Sequence, residues 1–293
     1  MKHKGDFLNL LRHADTLMDD AEVARETFEV DIETKQNLIG AAPKPIRDAL
    51  QFPSHGKPTP GTTLEIPEAT TVVAMRYQNG IIIAGDRRAT AGTSIVHDRA
   101  EKVLPIDAHS VLAISGAPAM AYEIARVLKH SFQYFRRSQL QELSVEGKLR
   151  TLSRLIRENL PMAMQGIGAV IPIFALYAPQ TDEAENGGKI YFYDALGAHF
   201  ENVDFATTGS GSIWIRGVLR YLDRWGDTRL EDMDQRQATI TILRLLDTAS
   251  EYDAATSGYN AKAEIFPTVK TITHEGVENL TEVYLKECYL EAT

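Results

Sequence analysis

Thr70, Asp86 and Lys102 are the residues whose types and spacing suggest chemistry. Thr70 opens the strand-like run Thr70-Thr71-Val72-Val73-Ala74-Met75-Arg76-Tyr77. Asp86 closes the returning run in Gly85-Asp86-Arg87-Arg88, and Lys102 follows sixteen residues after Asp86. A threonine hydroxyl is a weak nucleophile at neutral pH and needs a base within hydrogen-bond reach. If Thr70 is the first residue of a chain, its own α-amino group can serve. That amine has a reference pKa of about 7.7–8.0 and is partly neutral at pH 7. A neighbouring ammonium lowers it further. Lys102 supplies that charge, while Asp86 holds Lys102 in place and keeps it protonated. The set needs no histidine, no metal and no cofactor, but it does require removal of the sixty-nine preceding residues by a cut between Ala69 and Thr70. Taken singly, a threonine at a strand start and an aspartate after a strand are ordinary local choices. Together, behind a Pro- and Gly-rich extension, they point to a hydrolase whose nucleophile is its own N-terminal residue.

The elements that must hold these residues follow from hydrophobic periodicity. The first strand is apolar on both faces except at Arg76, the pattern of a strand covered on both sides. Asn79-Gly80 predicts a two-residue hairpin turn, with Ile81-Ile82-Ile83-Ala84 as the β-branched return. A third strand is expected at Ser110–Ser115, ending at Gly116. The period then changes to helical. Pro118 suits a first turn, and Ala121, Ile124, Ala125, Leu128 and Phe132 form a stripe. A second helix is expected at about Val145–Met164, interrupted at Pro161. Strands return at Ala169–Tyr177 and Lys189–Tyr193, helices at Ser212–Arg224 and Met233–Ser250, and a last strand at Thr268–Ile272. This order does not fit singly alternating strands and helices. It predicts an α+β fold, a four-layer α-β-β-α sandwich of two antiparallel sheets flanked by helix pairs.

Residues 1–69 have a different character. Leu8, Leu10, Leu11 and Leu17 can stripe a short amphipathic helix, and Pro43, Pro45, Pro53, Pro58, Pro60 and Pro67 mark an extended stretch beyond it. A pro-segment removed on maturation reads this way, and so does a flexible tether for a partner domain. The chain divides accordingly into residues 1–69 and a catalytic domain at 70–293. A formal net charge of −9 argues against a nucleic-acid binder, which needs a basic face. One cysteine, Cys288, excludes an internal disulfide and fits a reducing compartment; it reads as a packed thiol. The N-terminal sequence lacks a signal-peptide pattern. The longest apolar run, from Gly166 to Ala178, is too short to span a bilayer. The expectation is therefore a cytoplasmic protein without a membrane segment.

The segments Thr70-Thr71-Val72-Val73-Ala74, Gly85-Asp86-Arg87-Arg88-Ala89-Thr90 and Lys102-Val103 resemble the β-type subunits of 20S proteasomes, and within them the bacterial, actinobacterial-type subunit. The similarity continues through Ile114-Ser115-Gly116, Gly209-Ser210-Gly211-Ser212, Asp253-Ala254-Ala255-Thr256-Ser257-Gly258 and Ile265-Phe266-Pro267-Thr268. The resemblance implies the N-terminal nucleophile hydrolase fold and threonine endopeptidase activity. It makes Thr70 the nucleophile, Asp86 and Lys102 the residues that tune it, and Arg88 a support of the same turn. The Gly116 N–H becomes the oxyanion donor, and Ser210, Asp253 and Thr256 the polar set beside the terminal amine. By the same register Ala89, Thr90, Ala100, Ile114 and Pro118 form the substrate pocket. The implied partners are protein and peptide substrates, homo-heptameric β rings stacked with α-type subunits, and a regulatory ring ATPase with, in many bacteria, a small protein tag.

Two departures from the family pattern stand out. Ala69 occupies the position before the nucleophile where the family has glycine, which tolerates more backbone conformations. Tyr259 and Asn260 follow Gly258 in a loop without a family reading. A second Gly-Thr-Thr at Gly61-Thr62-Thr63 is a decoy, because Pro67 interrupts the strand that would have to follow. Two alternatives stay open: the two-ring ATP-dependent bacterial protease subunit of the same superfamily, and an unprocessed, non-catalytic ring subunit.

Overall fold

A computed structural model of the chain describes residues 70–91, 94–165, 168–178, 187–202 and 204–292. The leucine-striped helix, the Pro/Gly-rich extension, Gly61-Thr62-Thr63 and Ala69 all lie outside the described residues. In chain order the strands are β1 (Thr71–Tyr77), β2 (Gly80–Gly85), β3 (Ala89–Ala91), β4 (Ser94–His97), β5 (Val103–Asp107) and β6 (Ser110–Ala113). Helices α1 (Pro118–Gln139), α2 (Val145–Glu158) and α3 (Leu160–Met164) come next, then β7 (Ile173–Tyr177), β8 (Gly188–Tyr193), β9 (His199–Asn202) and β10 (Phe205–Gly209). Helices α4 (Ser212–Trp225) and α5 (Gln235–Tyr252), strands β11 (Thr268–Thr273) and β12 (Gly276–Asn279), and helix α6 (Glu282–Ala292) complete the order.

Among the described residues every strand pair is antiparallel. One five-stranded sheet runs β10-β1-β2-β11-β12, the other β5-β6-β7-β8-β9, and β3-β4 form a separate ribbon. Alternation along the strands sorts the side chains into three cores. Val72, Ala74, Ile81, Ile83 and Ile272 of the first sheet cluster with Val103, Val111, Ala113, Ile173, Ala175 and Ile190 of the second. The opposite face of the first sheet, with Val73, Met75, Ile82 and Val269, packs on Leu219 of α4, on Ile242 and Leu246 of α5, and on Leu285 and Cys288 of α6. The opposite face of the second, with Leu112, Phe174 and Tyr191, packs on Leu128 and Phe132 of α1 and on Leu149 and Leu152 of α2. Strand β1 is buried along its length except at the half-buried Arg76, as its composition predicts.

Several local expectations shift. The hairpin forms, but its two-residue turn is Gln78-Asn79; Gly80 already belongs to β2 and pairs with Tyr77. The second helix is two, α2 and α3, broken at Asn159, with Pro161 in the first turn of the second piece. Strand β7 begins at Ile173 and not Ala169, because Pro172 cannot donate to a ladder. Before it, Val170 makes only an isolated bridge to Gly116. Helix α5 starts at Gln235 behind an Asp234 capping box closed by Gln237, two residues later than its apolar stripe suggests. Strands β3, β4, β5, β9, β10 and β12 and helix α6 were not expected from periodicity. Among the described residues, no helix is long and apolar enough to cross a membrane.

Candidate active site

Thr70 immediately precedes β1 and is 4% exposed. Its carbonyl accepts a hydrogen bond from the Ser210 N–H at 2.9 Å, with the Ser210 hydroxyl oxygen 3.5 Å away. Pairing of β1 with β2 and with β10 places Thr70 between two polar clusters, one at the end of each neighbouring strand.

The first cluster centres on Asp86, fully buried just past β2. Its Oδ1 accepts from Lys102 Nζ at 2.6 Å and from the Thr71 N–H at 2.8 Å. Its Oδ2 accepts from the N–H groups of Arg88 at 3.0 Å and Ser257 at 3.2 Å. Lys102 Nζ also donates to the Arg88 carbonyl at 2.5 Å. Burial pushes the Asp86 carboxyl up and the Lys102 amine down, each against the attraction of the other. The expectation that Asp86 simply keeps Lys102 protonated is therefore half the account. Pairing favours the ammonium while burial makes its proton easier to give up. An amine balanced in this way, lining the same cavity as Thr70, is suited to proton exchange.

The second cluster centres on Asp253, the residue that ends α5. Its Oδ2 accepts from the hydroxyls of Ser210 and Thr256, each at 2.6 Å. Its Oδ1 accepts from the Ala255 N–H at 3.0 Å, closing a tight turn. Arg88 ties the clusters together, donating from Nη1 to the carbonyls of Ala254 at 2.9 Å and Thr256 at 3.2 Å. Thr70, Asp86, Lys102, Ser210, Asp253 and Thr256, separated widely in sequence, thus form one connected assembly.

A cavity of about 360 Å³ opens on this assembly, lined by Thr70, Lys102, Gly116, Ala89, Ala100, Ile114 and Pro118 among others. Gly116 has φ +99°, and a Cβ there would overlap the Ala169 carbonyl oxygen, so the position requires glycine. Among the described residues its N–H has no hydrogen-bond partner. A backbone donor on a cavity wall shared with a hydroxyl is what stabilises an oxyanion.

A family model described as "Proteasome subunit" matches residues 66–265. The chain belongs to the proteasome subunit family. A "Proteasome subunit beta" of Acidothermus cellulolyticus is 37% identical over 241 residues, spanning 82% of this chain and 79% of the relative. One from Streptomyces griseus is 38% identical over 219 residues, 75% of this chain and 74% of the relative. A "Proteasome subunit beta 2" of Thermomonospora curvata is 40% identical over 223 residues, 76% of each chain.

Within this proteasome-family chain, one expected pocket residue does not reach the cavity: Thr90 is buried in the β3-β4 ribbon opposite Ile95. Four lining residues had no signal in the sequence, His97, Arg99, Glu101 and Tyr122. His97 ends the exposed strand β4, Arg99 and Glu101 lie in the irregular chain after it, and Tyr122 lies on α1 outside the apolar stripe. The Glu101 carboxylate is engaged, accepting from the Val103 N–H and the Thr268 hydroxyl at 3.3 Å each, with Lys270 Nζ at 3.9 Å. The Tyr122 hydroxyl donates to the Glu101 carbonyl at 2.8 Å. The loop without a family reading is also explained. Tyr259 stacks on Phe266 with centroids 4.2 Å apart, and Asn260 pairs with Ile265 through both backbone groups. Among the described residues, no group of three or more His, Cys, Asp or Glu is placed to hold a metal ion.

Proposed function

We propose that this chain is the catalytic β-type subunit of a 20S proteasome core, a threonine endopeptidase made as a precursor and activated by a cut between Ala69 and Thr70. The observation that carries the reading is the shared wall of one cavity: Thr70, Lys102 and Gly116 line it, with Asp86 paired to Lys102. Before the cut, Thr70 N is an amide. The Thr70 hydroxyl attacks the Ala69 carbonyl, the chain shifts from nitrogen to oxygen as an ester, and water hydrolyses that ester. The freed α-amine then takes the hydroxyl proton when Thr70 attacks a substrate carbonyl, and later delivers it to the leaving amine. The oxygen of the tetrahedral intermediate takes the Gly116 N–H. Ser210 holds Thr70 through the Thr70 carbonyl, and Asp253, with Thr256 on the same carboxylate oxygen, fixes Ser210.

The three cores, with helices outside each sheet, support the four-layer α-β-β-α sandwich of the N-terminal nucleophile hydrolases. In the proposed assembly, heptameric β rings stack with α-type subunits in the cytoplasm and a regulatory ring ATPase feeds unfolded protein to the chamber. Trp214, Val218, Tyr221 and Trp225 form an exposed apolar stripe on α4, a surface of the kind that assembly covers. Thr70→Ala tests the reading. It abolishes peptide hydrolysis and leaves residues 1–69 attached, whereas a Thr70→Ala protein that still hydrolyses peptides, or that is still trimmed at residue 70, refutes the nucleophile. A wild type that stays full length and inactive establishes the non-catalytic ring subunit instead.

A further inference from the structure

Thr71 is fully buried, and both its main chain and its side chain are committed, each to a different cluster. Its N–H donates to Asp86 Oδ1 at 2.8 Å, and its carbonyl accepts from the Asp86 N–H at 3.1 Å. Its hydroxyl oxygen accepts from the Gly211 N–H at 2.9 Å and lies 2.5 Å from the Thr256 hydroxyl oxygen. The proton directions follow from counting. A hydroxyl has one proton, and an ionised carboxylate only accepts. Thr256 gives its proton to Asp253 Oδ2, so the proton in the Thr71–Thr256 contact is that of Thr71. A directed chain results, Thr71 to Thr256 to Asp253, with Ser210 donating to the same carboxylate oxygen. The surroundings close tightly on it: a Cβ at Gly211 would lie 2.5 Å from Thr71 Oγ1 and 2.7 Å from Thr256 Oγ1.

We infer that Thr71 is a positioning residue for the reaction of Thr70. Its hydroxyl fixes the Asp253–Thr256–Ser210 cluster relative to the Asp86–Lys102 pair that its main chain holds, and Thr70 lies between the two. The inference rests on the reading of Thr70 as nucleophile. A strand residue that merely filled space would need only an apolar side chain there, as Val72 and Val73 next to it show. Thr71 instead supplies a buried hydroxyl that pairs the Gly211 N–H and Thr256, contacts that valine leaves unmade.

The test uses the full chain in its assembled form, with kinetics normalised to the trimmed fraction measured by intact mass. Thr71→Val slows self-trimming and lowers kcat about 10–100-fold, the scale of a small misplacement of a reacting group, while KM stays within about twofold. Thr71→Ser, which keeps the hydroxyl, restores both rates. Thr239→Val is the control: it removes an equally buried hydroxyl, bonded to the Gln235 carbonyl at 2.7 Å in α5, and leaves kcat and trimming unchanged. Wild-type kcat in Thr71→Val overturns the inference, and so does a loss that follows Tm and is not restored by serine. If Thr71→Val does not fold, Thr71→Ala against Thr71→Ser decides, equal rates refuting the role of the hydroxyl. The Thr70→Ala protein separates the two claims. Activity there ends the nucleophile reading itself, whereas an inactive Thr70→Ala beside a fully active Thr71→Val ends only the positioning role.

Discussion

Lys102 carries the sharpest question at the scale of single residues, because its surroundings push its charge both ways. The ion pair with Asp86 is buried, and a buried pair contributes to stability only if its remaining hydrogen-bonding groups are satisfied. Here they are: Asp86 collects three backbone N–H groups besides the ammonium. Removing Lys102 strands the carboxylate at a cost of roughly 3–5 kcal/mol. Lys102→Ala therefore lowers both Tm and activity and cannot separate structure from chemistry. Lys102→Arg can, since it keeps the charge and the pair but replaces a compact ammonium with a wide fork that titrates far too high to exchange a proton. The expected outcome is a Tm nearer wild type than that of Lys102→Ala, with hydrolysis still lost. Normal turnover in the arginine protein would reduce Lys102 to a structural partner. The cavity beside it sets a second expectation. Ala89, Ala100, Ile114 and Pro118 favour apolar side chains before the scissile bond, because an unpaired buried charge there costs several kcal/mol, roughly. Fluorogenic peptides ending in Phe or Leu should outrun those ending in Arg or Asp. A preference for Asp would assign the specificity to Arg99, and a preference for Arg to Glu101, both of which line the same cavity.

Among the elements, what the sequence made legible divides along the sheets. The strands readable from periodicity, β1, β2, β11, β6, β7 and β8, are the central strands of the two five-stranded sheets. Those that periodicity missed, apart from the small ribbon, are β10, β12, β5 and β9, the four edges. A central strand here is buried on both faces and must be a β-branched or apolar run. An edge strand is free to be short and polar, and that is how edges avoid pairing with other chains. Pro105 in β5 reads as a strand breaker, yet it is tolerated because an edge has an unladdered side. Site residues followed the same division. Thr70 and Asp86 flank the readable β1 and β2, whereas Lys102 precedes the unread edge β5 and stood out only by its type and its spacing from Asp86. The lining residues around β4 belong to or follow an exposed element with no apolar pattern. Gly116 is the junction where the two kinds of information meet, after β6 and before α1. Gly116→Ala forces a side chain into a left-handed conformation against the Ala169 carbonyl, at about 1–3 kcal/mol of strain. Any relief turns the N–H away from the cavity, so kcat should fall about 10²–10³-fold, the value of one oxyanion donor. A lower Tm with unchanged kcat per folded subunit would leave Gly116 a purely structural glycine.

At the scale of the whole molecule, the register of the proposed catalytic set bears on where a mature protein would begin. The pairing of Val72 with Gly85, next to Asp86, and of Thr71 with Gly209, next to Ser210, places one residue, Thr70, between both clusters. A start one residue later would put a terminal amine on Thr71, whose N–H already donates to Asp86 and whose hydroxyl is committed to Thr256. A start at Thr62 would leave eight residues ahead of Thr70, with Pro67 among them, and Thr70 would have no amine of its own. The two clusters thus argue for a cut between Ala69 and Thr70 even though alanine stands where the family has glycine. Alanine restricts the backbone conformations that the attack on its carbonyl needs, so trimming should be slow rather than misplaced. N-terminal sequencing of the assembled protein should read Thr-Thr-Val-Val, and Ala69→Gly should reach the same terminus faster in a time course of intact mass. A terminus at Met1, Thr62 or Thr71 in the active protein would contradict the assignment. Equal trimming rates for the wild type and the Ala69→Gly protein would show that the residue before Thr70 does not limit the step.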